Sequence, residues 1–303
     1  MHSAADAAKT ALRYDVPDGA CDCHVHVIGD PAQFPFAADR IYTPPPAPVE
    51  DLIELQGDLG LDRMVIVQPS IYGNDNSCTV DAVRRLSRRA RGIAVIDATT
   101  PRRELEEMNR AGIRGVRLNV ETHSPDGCDP ELVKQRLDAT ARLIDGLGWH
   151  VQLYARTSIV AALARHIAGL PFPLVIDHFG CAKPAPAPRP AGFDTLLDLL
   201  AAGTVYVKLS GAYRLSHDAP DYADMAPLAQ AVVEANPARI LWGTDWPHTN
   251  SAYGRGRLLT ETAPPLPIDD GRLMNALATW VPDAGLRKQI LVDNPARLYG
   301  FEA

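Results

Sequence analysis

The chain has 303 residues and a formal net charge of −7, with 46% hydrophobic and 22% charged residues. That balance suits a folded protein with a sizeable core and lacks the basic field that nucleic acid or acidic lipid requires, so neither is an expected partner. No run reaches the roughly 18 apolar residues of a membrane helix, residues 1–17 lack the apolar core of a signal peptide, and the five cysteines show no disulfide-framework spacing, which together predict a cytoplasmic protein.

Residues 1–18 read as a loose N-terminal arm and 19–303 as a single domain. From there strand and helix patterns alternate. Strands are predicted at 19–27, 64–69, 92–98, 115–120, 150–155, 173–180, 205–211 and 240–247. Amphipathic helices are predicted between them at 48–59, 79–90, 101–111, 130–147, 158–168, 192–202 and 222–236, and a closing helix with a proline break at 282–299. Alternation of this kind favours parallel pairing through right-handed crossovers. Eight such units predict an α/β protein of the (β/α)8 TIM-barrel class. A doubly wound open sheet is the competitor, but no Gly-rich phosphate loop follows the first strand. Two Pro-rich stretches, 43–48 and 183–190, read as stiff loops at the rim where the strands end.

The first and last strands end in chemically capable residues. Gly19-Ala-Cys-Asp-Cys-His-Val-His-Val27 places His24 and His26 on one face, roughly 6 to 7 Å apart, if the strand alternates regularly. The same parity puts Asp22 with them and sends Cys21, Cys23, Val25 and Val27 under the helices. The sixth strand ends in His178, and the eighth carries Asp245 within Gly-Thr-Asp-Trp-Pro-His248. A buried carboxylate has to be paired, metal-bound or hydrogen-bonded, and these histidines are at hand. On strand four Arg117 and Asn119 face inward together; an inward arginine calls for an anion, either substrate or a protein carboxylate. His150, Gln152 and Tyr154 share the inward face of strand five, with Tyr154 nearest the mouth. Ser70 opens a polar loop after strand two, and Arg214 follows strand seven, either reaching over the mouth or solvated. Tyr213 and Tyr253 read as exposed aromatics, serving a substrate pocket or a homo-oligomer contact equally well.

Taken together, Cys21-Asp-Cys-His-Val-His26, Phe34–Thr43, Val65–Ser70, Ile176–Gly180 and Gly243–His248 resemble the amidohydrolase superfamily, in its branch of 2-pyrone-4,6-dicarboxylate lactonases. The likeness spans nearly the whole chain. It implies a barrel that hydrolyses a cyclic ester, a small-molecule lactone. It also implies that His24, His26 and His178 polarise the carbonyl while Asp245 takes the proton of the attacking water. Tyr42, Ser70, Arg117, Tyr154 and Arg214 match positions that hold substrate, and His123 and His248 join them as candidates. Two departures stand out: His123 and Cys181 occupy positions where the dicarboxylate lactonase carries arginines. A substrate with one carboxylate, a sulfonated muconolactone-like ring or an aldonolactone therefore suits this chain better. Relatives elsewhere in the superfamily bind metal. Here strand four offers no bridging Lys or Glu, which excludes a binuclear site; one Zn²⁺ on His24, His26, His178 and Asp245 remains open by ligand count, and a metal-free centre is favoured. Related branches also imply an isomerase or a zinc-dependent hydrolase or decarboxylase as the alternative.

Overall fold

A computed structural model describes residues 10–122, 128–185, 189–253 and 256–302. Eight parallel strands lie side by side in chain order: β1 (Cys21–Val25), β2 (Arg63–Val67), β3 (Ala90–Ala94), β4 (Ile113–Asn119), β5 (His150–Tyr154), β6 (Leu174–Ile176), β7 (Val205–Leu209) and β8 (Ile240–Trp242). Just beyond the end of β8 the two edges of the sheet meet. The amide of Asp245 donates to His24 O and that of His26 to Trp246 O, both at 2.8 Å, around a parallel bridge between Val25 and Trp246. The barrel is thus closed by the same two segments that carry the chemistry.

Around the strands run α1 (Val49–Asp58), α2 (Ser77–Leu86), α3 (Arg102–Ala111), α4 (Pro130–Ile144), α5 (Thr157–Ala162), α6 (Ala164–Ile167), α7 (Phe193–Ala201), α8 (Ala226–Ala235), α9 (Asp270–Trp280), α10 (Ala284–Lys288) and α11 (Asn294–Tyr299). Local chemistry explains their limits. In α4 the Asp129 side chain accepts from the Glu131 amide, Pro130 occupies the first turn, and Val133, Leu137, Thr140 and Ile144 form the buried stripe, as capping and helical periodicity require. The closing helix breaks before Pro295, where a π-helical turn, Gln289–Asp293, joins α10 to α11. Patterning had not assigned α9. The Pro264, Pro265 and Pro267 run that precedes it reads as loop, although Asp269 caps the helix and Leu273, Leu277 and Trp280 are buried at helical spacing. None of the helices among the described residues is long and apolar enough to cross a membrane.

The described part of the N-terminal arm is held rather than loose. Thr10 hydrogen-bonds Asp269 through its amide and hydroxyl, and the Arg13 amide donates to Asn275 Oδ1, so 10–14 packs along the start of α9.

Regular alternation fails in β1. Its pairing with β2 shifts register between Asp22 and Val25, a bulge that adds a residue and changes which face follows. Asp22 therefore turns outward: Gln56 of α1, the Thr244 hydroxyl and the amides of His24 and Thr244 all donate to its carboxylate. Cys21 and Cys23, expected under the helices, instead pack with Val65, Val67, Ile93, Val175, Tyr206 and Leu241, plugged from below by Tyr299 and Phe301. Val25 joins the cluster between barrel and helices. The bulge is what lets His24 and His26 both reach the C-terminal end of the barrel.

Candidate active site

The predicted strands overrun the observed ends because their last residues leave the sheet. His178 and Asp245 adopt positive φ, 50° and 67°, a conformation that costs a non-glycine residue free energy and persists only where the surroundings enforce it. The enforcement here is the closing hydrogen bond from the Asp245 amide and that from the His248 amide to Asp245 O at 3.0 Å. Two glycines make room. A Cβ at Gly243 would lie 2.6 Å from the His24 amide, and one at Gly211 (φ +63°) 2.8 Å from His178 Nδ1, so only glycine permits those approaches.

Three imidazoles converge on Asp245. The Nε2 atoms of His24 and His26 stand 3.7 and 3.5 Å from Oδ1, and His178 Nε2 stands 4.0 Å from Oδ2. They are not equivalent. His26 Nδ1 lies 2.7 Å from Val67 O; a carbonyl only accepts, so this nitrogen carries a proton, and in the neutral ring Nε2 presents a lone pair. His178 Nδ1 lies 2.8 Å from Ser210 Oγ; where that hydroxyl donates, Nε2 carries the ring proton and faces an acceptor in the cavity. His24 is fully buried beneath both, and neither of its nitrogens has a hydrogen bond. Its Nδ1 faces Asp177 Oδ1 at 3.5 Å.

On the other oxygen of Asp245, Oδ2, Arg214 Nε donates at 2.8 Å and Tyr213 OH at 2.7 Å. Burial pushes the pKa of Asp245 up, but the Arg214 cation and then the neighbouring histidines outweigh it, holding the carboxyl well below its ordinary value. Asp245 is therefore ionised, with Oδ2 doubly occupied and Oδ1 open. Burial also keeps His24 and His178 neutral, His178 down to about 4 despite the opposing pull of Asp245. It raises the Tyr154 and Tyr213 phenols, which stay protonated donors.

A second buried carboxylate lies under this layer. Asp177 accepts from Gln152 Nε2 at 2.9 Å, and Lys208, fully buried, reaches Gln152 Oε1 at 2.6 Å and stands 3.5 Å from Asp177 Oδ1. Arg117 Nε lies 3.6 Å from Asp177 Oδ2. Neither Asp177 nor Lys208 was assigned a role from sequence. The signal was present in both: a lysine within Val-Tyr-Val-Lys-Leu and an aspartate after Leu-Val-Ile sit in strands with no polar face to water.

Above the imidazoles opens a cavity enclosing about 420 Å³, including the part open to solvent, lined by His26, Ser70, Arg117, Tyr154, His178 and Asp245 among others. Tyr42, Pro69, Asn119, Thr122, Arg214, Thr249 and Ser251 complete the wall. The Arg117 guanidinium lies 5.4 Å from the Tyr154 ring centroid, and that ring meets His178 edge-on at 5.0 Å. Several sequence expectations are corrected or narrowed here. His24 is under the cavity rather than on its wall, because the bulge seats it deeper. His248 is turned away, its Nε2 3.0 Å from Asp270 of α9, and its ring packs against Tyr213. Arg214 lines the cavity as the first of its two sequence readings has it, but with Nε on Asp245 and its terminal nitrogens on Thr249 O it is a held cation rather than a free clamp. Tyr213, read as exposed, is half-buried against Asp245. His123 lies outside the described residues.

The chain belongs to the amidohydrolase family, whose model matches residues 21–301. It is 39% identical to a 4-sulfomuconolactone hydrolase of Rhizobium radiobacter, over 97% of this chain and 94% of the relative. It is 30% identical to a D-galactarolactone isomerase of Agrobacterium fabrum, over 96% and 94% respectively. Among solved structures, a Pseudomonas putida protein provisionally assigned as a 2-pyrone-4,6-dicarboxylic acid hydrolase superimposes with a TM-score of 0.79 at 30% identity, covering 95% of this chain and all of that one.

A metal can be tested against these donors. One ligand atom each from His24, His26 and Asp245 lies within 4.8 Å of the others, and the same holds for His24, Asp177 and His178. By atom type either set suits one zinc ion. By charge the site does not: the two carboxylates already face Arg214, Arg117 and Lys208, so a divalent cation would enter a cluster with more fixed positive than negative charge.

Burial of neutral histidines has a pH consequence. Burial holds His150 at about 3 and His178 at about 4, and lowers His24 well below the ordinary 6.5. The unfolded chain takes protons on all three as pH falls through 6.5, while the fold does not until far lower pH, so stability declines from pH 6.5 toward 4. Asp22, raised to about 6 by burial, opposes this: it holds a proton in the fold that the unfolded chain has released, and its contribution fades as pH rises from about 4 to 6. Three histidines outweigh one carboxyl. The urea midpoint is expected to be lower at pH 5 than at pH 7; an equal or higher midpoint contradicts the assignment.

Proposed function

We propose that this protein is a lactone hydrolase acting on a ring that carries an anionic group, and that it works without a metal ion. The observation that carries the reading is the open Oδ1 of Asp245 beside the His26 lone pair, at the floor of a cavity whose wall holds Arg117. Similarity to lactone hydrolases over nearly the full chain supports it.

In this reading a water donates one hydrogen bond to Asp245 Oδ1 and the other to His26 Nε2, both acceptors, which aims its oxygen lone pair at the lactone carbonyl carbon. Asp245 accepts the proton as the carbon–oxygen bond forms. His178 Nε2–H and the Tyr154 hydroxyl stand on the cavity wall as donors for the carbonyl oxygen, where negative charge gathers in the tetrahedral state. Collapse breaks the ring carbon–oxygen bond, and the proton on Asp245 returns to the departing oxygen. A carboxylate held as low as Asp245 is a weak base. The substrate anion offsets this in part: placed near Arg117 and Arg214, it competes for the Arg214 cation and so raises the basicity of Asp245.

Arg117 lines the cavity together with Tyr42, Ser70 and Thr249, a cation among hydroxyls that suits a single carboxylate or sulfonate. Cys181 supplies no second guanidinium. A panel of carboxylated, sulfonated and sugar-acid lactones tests the class, and opening of none contradicts it. The same panel run after chelation tests the metal. The expected rate is unchanged; a loss of more than about tenfold, restored by zinc, contradicts metal independence.

Isomerisation is the second reading, supported by the galactarolactone isomerase relative. The same base and donors would then move a proton or an acyl oxygen within the ring, with no solvent oxygen entering the product.

A further inference from the structure

Oδ1 of Asp245 is useful as a base only while nothing else donates to it. His24 threatens that. It is a neutral imidazole with one N–H, wedged between two carboxylates: Nδ1 is 3.5 Å from Asp177 Oδ1 and Nε2 is 3.7 Å from Asp245 Oδ1. Neither contact is a hydrogen bond as it stands, but whichever nitrogen holds the proton turns it toward one of the two carboxylates. A proton on Nε2 faces Asp245 Oδ1; a proton on Nδ1 leaves that oxygen open.

We propose that Asp177 is a positioning residue for this reaction: by drawing the His24 proton to Nδ1 it keeps Asp245 Oδ1 free for the attacking water. Its own orientation is set by one hydrogen bond and two nearby cations, from three strands. Gln152 Nε2 of β5 holds Oδ2 at 2.9 Å, Arg117 of β4 approaches the same oxygen at 3.6 Å, and Lys208 of β7 stands 3.5 Å from Oδ1. Lys208 is also hydrogen-bonded to Gln152 Oε1 at 2.6 Å, so Gln152 is oriented with its NH₂ toward Asp177 and cannot flip without losing both bonds. His24 in turn is boxed by its neighbours, with ring centroids 4.6 Å from His178 and 5.1 Å from His26, which leaves the tautomer as its remaining freedom. Asp177, Gln152 and Lys208 do not line the cavity; Asp177 meets the site through His24 and through Arg117, and the second route would show in KM rather than in the His24 tautomer.

This inference rests on the lactone-hydrolase reading for its kinetic arm only. In Asp177→Asn the amide oxygen takes the Oδ2 place, where Gln152 donates and Arg117 approaches, which puts the NH₂ in the Oδ1 place beside His24 Nδ1 and Lys208; His24 Nδ1 then has to accept, and the proton moves to Nε2, toward Asp245. Histidine ¹⁵N NMR is expected to show His24 protonated at Nδ1 in the native protein and at Nε2 in the variant. On a lactone the native enzyme opens, kcat is expected to fall about 100-fold with KM changed less than about threefold. Asp177→Asn alone leaves Lys208 uncompensated, so the charge-matched double variant Asp177→Asn/Lys208→Met is the control. It is expected to recover thermal stability and to keep the kcat loss. An unchanged His24 tautomer, a kcat within about threefold of native in either folded variant, or recovery of kcat in the double variant overturns the proposal. If the native protein opens no lactone, the functional reading falls and the NMR result still decides the tautomer.

Discussion

Replacing Asp245 by asparagine is expected to lower kcat about 10³-fold, within the range for losing a positioned general base, while leaving the fold intact. Asparagine keeps an acceptor where Tyr213 and Arg214 now donate at 2.7 and 2.8 Å, and its backbone keeps the amide bond to His24 O that helps close the barrel. What it cannot do is accept a proton. Circular dichroism and thermal unfolding on the same preparation separate loss of chemistry from loss of structure. A folded variant within about tenfold of native kcat contradicts the role assigned to Asp245.

Arg117→Met is expected to act on binding and to do so selectively. Arg117 is the cation of the cavity wall whose guanidinium is not hydrogen-bonded to a protein carboxylate; its nearest, Asp177, is 3.6 Å away and already served by Gln152 and Lys208. A hydrogen bond from a charged donor to an anion contributes roughly 1.5–3 kcal/mol, so kcat/KM for an anionic lactone should fall on the order of 10- to 150-fold, mostly through KM. For an uncharged lactone the variant and native enzyme should agree within about threefold. Equal losses on both substrates would move Arg117 from substrate binding to a structural role.

The barrel was legible because strand and helix patterns alternate from residue 19 to 247, and each predicted strand contains an observed one or overlaps it by most of its length. His24, His26, His178 and Asp245 were legible as polar residues ending apolar strands. Three things were not. The bulge in β1 is a register event between neighbouring strands, and period-two parity cannot register an added residue; this is why Asp22 and the cysteines were placed on the wrong faces. Lys208 and Asp177 were passed over because strand patterns are read for their apolar members, and a buried ion pair satisfied across three strands leaves no trace in local spacing. His248 was misjudged because its partner, Asp270, belongs to α9, an element hidden behind prolines. The same missing element explains the arm: residues 10–14 looked loose because the helix that holds them was not foreseen.

The clearest test runs a single turnover of an accepted lactone in H₂¹⁸O with purified enzyme and reads the ring-opened acid by mass spectrometry. Attack of an Asp245-activated water on the carbonyl predicts one ¹⁸O atom in the new carboxylate and none in the alcohol or enol oxygen. A product formed without solvent oxygen, or labelled at the former ring oxygen, would contradict the mechanism.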